Sequence, residues 1–219
     1  GLREFRDPNP SSHSEIAQLV RRYPIKSHIV ISHIRQANAG RVALENTHPF
    51  TRELWGKYWT FAHNGQLKGI KNYPLRHYLP VGTTDSEHAF CWIMDQLRER
   101  FPRLPKRQQT VQRYILKLCQ KLQTLGVFNM LLTDSRHLFC FCSTKLSWIT
   151  RRAPFELASL KDAEITVDFE KETTDKDVVT VIATEPLTIN ESWNIMNSGE
   201  MVVFREGECL DLNQTNIVD

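Results

Sequence analysis

An asparagine amide beside a glycine peptide group, Asn64-Gly65 in FAHNGQL (61–67), sets two N–H donors next to each other. Paired donors are the composition of an oxyanion hole, which stabilises charge developing on a carbonyl oxygen. Glycine also admits close approach and an unusual φ. Asn-Gly is the strongest short hairpin signal as well. Yet Gln66-Leu67-Lys68-Gly69 followed by Asn72-Tyr73-Pro74 does not read as a returning strand. The expectation is a strand over 58–63 that ends at Asn64-Gly65, in a turn that aims both donors at a carbonyl.

Two further segments carry complementary charge. Arg35 in SHIRQAN (32–38) follows an apolar run and shares a period-2 face with His33. Arginine inside a strand is costly unless a carboxylate meets it, so Arg35 is either one half of an ion pair at the sheet end or a binding group for a carboxylate. Asp85 in TTDSE (83–87) stands at a helix start, where an acid suits the macrodipole or can hold an ammonium group. A carboxylate at Arg35, an ammonium at Asp85 and an oxyanion at Asn64 and Gly65 describe an amino acid with a reactive side-chain carbonyl, such as glutamine.

The elements that must position these groups are read from periodicity. Residues 14–23 place Ile16, Leu19, Val20 and Tyr23 at helical spacing, with Ser12 or Ser14 as cap and Pro24 as stop. HIVISHI (28–34) reads as a buried strand. A loop follows through 38–40 to Pro49. Thr84-Asp85-Ser86-Glu87 has capping-box form and opens a helix with Phe90, Ile93, Met94, Leu97 and Phe101 inward. After a polar break at 102–108, Val111, Tyr114, Ile115, Leu118, Leu122 and Leu125 mark a second helix, with Gly126 as its C′ residue. Strands are expected at 127–133, 137–143, 146–150, 164–169, 177–183 and 201–205, with REGE (205–208) leading to a short last one. Segregated helix and strand blocks give an α+β fold. With no repeat, low-complexity tract or linker, residues 1–219 are expected to form one domain.

The bulk properties narrow the function classes. With 219 residues, 41% hydrophobic and 24% charged, the chain suits a soluble globular domain. A net charge of +3, with basic pairs scattered at Arg21-Arg22, Lys106-Arg107 and Arg151-Arg152, makes no nucleic-acid stripe. Cys91 and Cys119 sit in helical patterns, and Cys140 and Cys142 alternate with Phe139 and Phe141. These read as buried thiols of a reducing cytosol, so the expected location is cytoplasmic. No second Cys/His pair at metal spacing accompanies Cys140-x-Cys142, and neither metal nor organic cofactor is expected. No apolar run of about 18 residues is present to span a membrane, and GLREFRDPNP lacks the apolar core of a signal peptide.

Taken together, these segments resemble the class II glutamine amidotransferases, the N-terminal-nucleophile kind. HIRQAN is similar to the family's His-x-Arg-x-x-Thr segment, NTHPF (46–50) to its Asn-x-His-Pro stretch, HNG to its oxyanion-hole motif and TTDSE to its (S/T)-D-(S/T)-E motif. VIATEPL (181–187) and Trp193…Gly199-Glu200 resemble stand-alone members, and the likeness covers essentially the whole chain. It implies an αββα sandwich of mostly antiparallel sheets. It also implies that Arg35 binds the glutamine α-carboxylate, that Asp85 with the Gly65 carbonyl binds the α-amine, and that the Asn64 side chain and Gly65 N–H form the oxyanion hole. His48 would line the pocket, as would Asn38, which stands where the family has Thr.

The family's nucleophile is an N-terminal cysteine whose own α-amine is the base. Here residue one is Gly1 and no cysteine precedes Arg35. The resemblance therefore implies a chain truncated at its N-terminus, with most of the pocket but without the attacking group, and so inactive as it stands. The implied reaction attacks the glutamine side-chain amide, forms a γ-glutamyl thioester and releases ammonia, either to water or to an accepting partner protein. Two alternatives stay open: a hydrolase of γ-glutamyl peptides or amides using the same clamps, and a catalytically inactive glutamine-binding protein.

Overall fold

The computed structural model describes residues 1–23, 25–34, 42–161, 166–168 and 173–210. Its elements run in the order α1 (Glu15–Arg22), β1 (Phe50–Leu54), β2 (Lys57–Leu67), α2 (Asp85–Arg100), α3 (Gln108–Gln123), β3 (Gly126–Thr133), β4 (Leu138–Phe141) and β5 (Ser147–Arg152). Then follow β6 (Leu157–Ser159), β7 (Thr166–Asp168), β8 (Val178–Ala183), β9 (Asn194–Ile195), β10 (Met201–Arg205) and β11 (Glu208–Leu210). The fold is α+β. Strands β1-β2-β3-β4-β10-β11 form an antiparallel sheet in that order; β8-β5-β9 form a second and β6-β7 a small third.

Alternation along β2 explains the layering. Trp59, Phe61, His63 and Leu67 are buried on one face. There Trp59, Phe61 and Leu67 join Phe128, Met130 and Phe141 against Phe90, Ile93 and Leu97 of α2 and Ile115 and Leu118 of α3. The opposite face of the large sheet offers Leu138, Cys140, Val202 and Phe204 to Trp148 and Ile182 of the second sheet and to Ile29 and Ile31. Asn64, on that face of β2, therefore projects between the two sheets.

Several sequence expectations need correction. Asn64-Gly65 is not a turn and does not end a strand: β2 runs straight through it, paired with β3 down to Leu67 opposite Gly126. The hairpin turn lies earlier, at Trp55 (φ 58°) and Gly56 (φ 74°), the two left-handed residues of a type I′ turn between β1 and β2. Strand β1 begins just past the loop expected to end at Pro49, in a stretch with no element expected from sequence. Gly126 opens β3 rather than closing α3, whose C-cap is Thr124.

HIVISHI joins no ladder among the described residues. Ile29 and Ile31 are half-buried, whereas Val30 is 71% and Ile34 76% exposed. β-Branching favours the extended backbone; pairing needs a neighbour that composition does not reveal. Helix α1 forms where expected, with Ser14 Oγ accepting from Ala17 N–H at 3.0 Å. Its Leu19 and Val20 and the following Tyr23 are exposed, however, and among the described residues neither core cluster includes one from α1.

Candidate functional site

The ladder fixes which way the Gly65 peptide groups point. Lys68 N–H donates to Leu125 O at 2.9 Å, continuing the β2–β3 register. Antiparallel neighbours alternate in the direction of their peptide groups. Even-numbered residues of β2 therefore face β3, and His63, Gly65 and Leu67 face the other edge. Strand β1 covers that edge only as far as Phe61, opposite Phe50. Beyond it, the His63 carbonyl accepts from His33 Nε2 at 3.1 Å, and Leu67 N–H donates to Asp85 Oδ2 at 2.7 Å. The N–H and C=O of Gly65 lie between these two anchors.

The conformation at Gly65 is one only glycine holds comfortably. Its φ is +152°, and a Cβ there would stand 2.0 Å from the Val127 carbonyl oxygen.

Asn64 opens onto a cleft of about 150 Å³ between the sheets, lined among others by His33, Asn129, Ile182 and Thr184. The Asn64 amide nitrogen donates to Thr184 Oγ1 at 3.3 Å, which leaves its second N–H for another acceptor. Asn129, buried directly opposite on β3, donates from Nδ2 to the Asn64 carbonyl (3.2 Å) and to Thr144 Oγ1 (3.0 Å). Its Oδ1 gathers the N–H groups of Ser143, Thr144 and Lys145 at 2.9, 3.0 and 3.3 Å. Both the backbone and the amide of Asn64 are thus held.

Asp85 begins α2. Thr84 caps the helix, its Oγ1 accepting from Glu87 N–H at 3.1 Å. The capping box is not reciprocal. The Glu87 carboxylate reaches back to the N–H groups of Val81 (3.0 Å) and Gly82 (2.7 Å) and to Arg52 (2.6 Å) on β1. Asp85 accepts from Leu67 N–H and, at 3.0 Å, from Ser86 N–H. Each carboxylate oxygen retains a lone pair for a further donor. The loop before the helix is tied to NTHPF through Asn46, whose Oδ1 accepts from Thr83 N–H at 2.8 Å. His48, 7% exposed, stacks on His33 with ring centroids 4.1 Å apart.

Of the residues singled out from sequence, Asn64, Gly65 and Asp85 converge on one edge of β2, and His48 approaches it through the His33 ring. Arg35 and Asn38 lie outside the described residues. Asn129, Ser86 and Thr184 carry the surrounding hydrogen bonds and were not anticipated. A polar side chain inside the apolar strand VFNMLLT was the available signal for Asn129. None of the cysteines lines the cleft: Cys91, Cys119, Cys140 and Cys142 are buried. Burial pushes the Cys91 thiol up to about 11 and raises Cys119 and Cys140 as well. Burial also pushes the His63 imidazole below its ordinary value. Among the described residues, no helix is long and apolar enough to cross a membrane.

Comparison with known proteins adds the family. The family described as glutamine amidotransferases class-II matches residues 1–219. The chain is 57% identical over 208 residues to "Putative glutamine amidotransferase YafJ" of Escherichia coli, covering 95% of this chain and 82% of that one. It is 42% identical over 208 residues to "Putative glutamine amidotransferase" of Haemophilus influenzae, covering 95% and 70%. A crystal structure of a predicted glutamine amidotransferase from Pseudomonas aeruginosa matches with a TM-score of 0.72 at 54% identity, over 82% of this chain and 70% of that one.

Proposed function

We propose, from the premise that this chain belongs to the class II glutamine amidotransferases, that it grips glutamine by its α-amino and α-carboxyl groups and offers the side-chain amide carbonyl to Asn64 and Gly65. Asp85, with the Gly65 carbonyl, takes the ammonium; Arg35 takes the carboxylate; His48 borders the pocket. As a thiolate attacks the amide carbon, the carbonyl oxygen becomes an oxyanion and accepts from Asn64 Nδ2–H and Gly65 N–H. The attacking residue's own α-amine, having taken the thiol proton, returns it to the departing nitrogen, so collapse of the tetrahedral adduct expels ammonia and leaves a γ-glutamyl thioester, which water hydrolyses. The thiol is the family's N-terminal cysteine, a residue not among 1–219, because the cysteines in this chain lie away from the cleft.

The observation that carries this reading is the edge of β2. There the Gly65 peptide groups point between the anchors at His63 and at Leu67–Asp85, with the Asn64 amide on the adjoining face. Donors fixed in advance cost no reorganisation when charge develops. The test is ammonia release from glutamine by the full-length protein and its Asn64→Ala variant. Loss of one oxyanion donor is expected to lower kcat by about 10²–10³-fold. Unchanged turnover would remove Asn64 from this role. Running γ-glutamyl peptides beside glutamine assigns the leaving group.

A further inference from the structure

A single buried imidazole joins the two halves of the site. A carbonyl oxygen only accepts, so the proton shared with Val127 O at 3.0 Å belongs to His63 Nε2. The neutral ring then presents Nδ1 as an acceptor, and Ser86 Oγ–H donates to it at 2.9 Å. Both residues are buried, His63 at 2% and Ser86 at 5% exposure. His63 immediately precedes Asn64, and Ser86 immediately follows Asp85. Two ties therefore connect β2 to the first turn of α2: Leu67 N–H to Asp85, and Ser86 to His63. They bracket Gly65 on the strand edge. The first holds the carboxylate; the second fixes how far that carboxylate stands from the paired donors.

We infer that His63 and Ser86 are a positioning pair that sets the distance between the ammonium clamp and the oxyanion hole, so that turnover responds to the substrate's α-ammonium group. This rests on the glutamine reading of the site. Neither residue touches substrate; they act through the distance between Asp85 and Asn64-Gly65. The substrate class so selected carries an α-ammonium group at glutamine's carbon spacing from the reacting carbonyl. Binding energy at the amine is spent on placing that carbonyl.

The experiment compares ammonia release from glutamine and from glutaramate, the analogue without the α-amine, by full-length wild type, Ser86→Ala and Ser86→Thr. Wild type is expected to favour glutamine. Ser86→Ala leaves the His63 acceptor unpaired and should lower kcat on glutamine by roughly tenfold to a hundredfold, the size of one unsatisfied buried group. KM should move far less, and glutaramate turnover should hardly change. Ser86→Thr retains the hydroxyl and should restore the preference. If wild type discriminates but Ser86→Ala loses equally on both substrates, or on neither, the coupling is overturned alone. If wild type treats the two alike, the glutamine reading falls and the coupling with it.

Discussion

Gly65 and Asn64 are neighbours with opposite demands. The Gly65 backbone takes φ +152° against the Val127 carbonyl, so Gly65→Ala must distort β2 or β3. The expected cost is at least about 1–3 kcal/mol, seen as a lower urea midpoint, together with loss of ammonia release. The Asn64 side chain is exposed, and its truncation should change stability by no more than about 0.5 kcal/mol while turnover falls. Asn64, Gly65 and Asp85 lie at one edge of β2; in sequence only the resemblance of HNG and TTDSE drew them together, since each alone also reads as a hairpin signal or a helix-start acid. Ser86 was not legible, because a serine in a helix's first turn is ordinary until its partner across the fold is known.

At the scale of elements, the first turn of α2 depends on Glu87. Its buried carboxylate, 2% exposed, binds Arg52 of β1 and the N–H groups of Val81 and Gly82. Glu87→Gln replaces one acceptor oxygen with a donor and removes the ion pair. A loss of about 3–5 kcal/mol is expected, as for breaking a buried pair, read as a lower melting temperature. Helices α2 and α3 and strand β10 were legible because one face of each is continuously apolar. Strand β1 was not: FTREL carries three polar residues in five, and its turn is written Trp-Gly rather than Asn-Gly. The true Asn-Gly was misread because register is set by β3, more than 60 residues away in sequence. The run 28–34 showed the opposite failure, strand composition with no ladder among the described residues.

For the whole molecule, acid should act in two stages. Burial keeps the His63 imidazole below its ordinary pKa. As pH falls below about 6.5, the unfolded chain takes up a proton that the folded chain refuses, and stability declines. Asp134 acts lower. Burial alone would raise its carboxyl, but hydrogen bonds from His137 and Lys57 outweigh that and hold it well below the carboxylate range. Its contribution is complete above the unfolded value near 3.9 and is lost as pH falls through the folded one. Asp134→Asn should cost about 1–3 kcal/mol at pH 7 and flatten the lower stage, leaving the upper one intact. Chemical unfolding at a series of pH values separates the two.

The strand through Asn64-Gly65 also bears on how the protein ages. In a flexible chain, the glycine nitrogen of Asn-Gly readily attacks the asparagine amide carbon and expels ammonia, closing a succinimide that water opens to aspartate or isoaspartate. Here the carbonyl of that peptide faces β3 and accepts from Asn129, and the Asn64 amide is tethered to Thr184. Folding therefore shields the site's own donor from deamidation. Every excursion into the unfolded state exposes it, and the product at position 64 is an anion where the proposed reaction uses an N–H. On the proposed mechanism, heating inactivates the protein through Asn64-Gly65 even when the chain afterwards refolds.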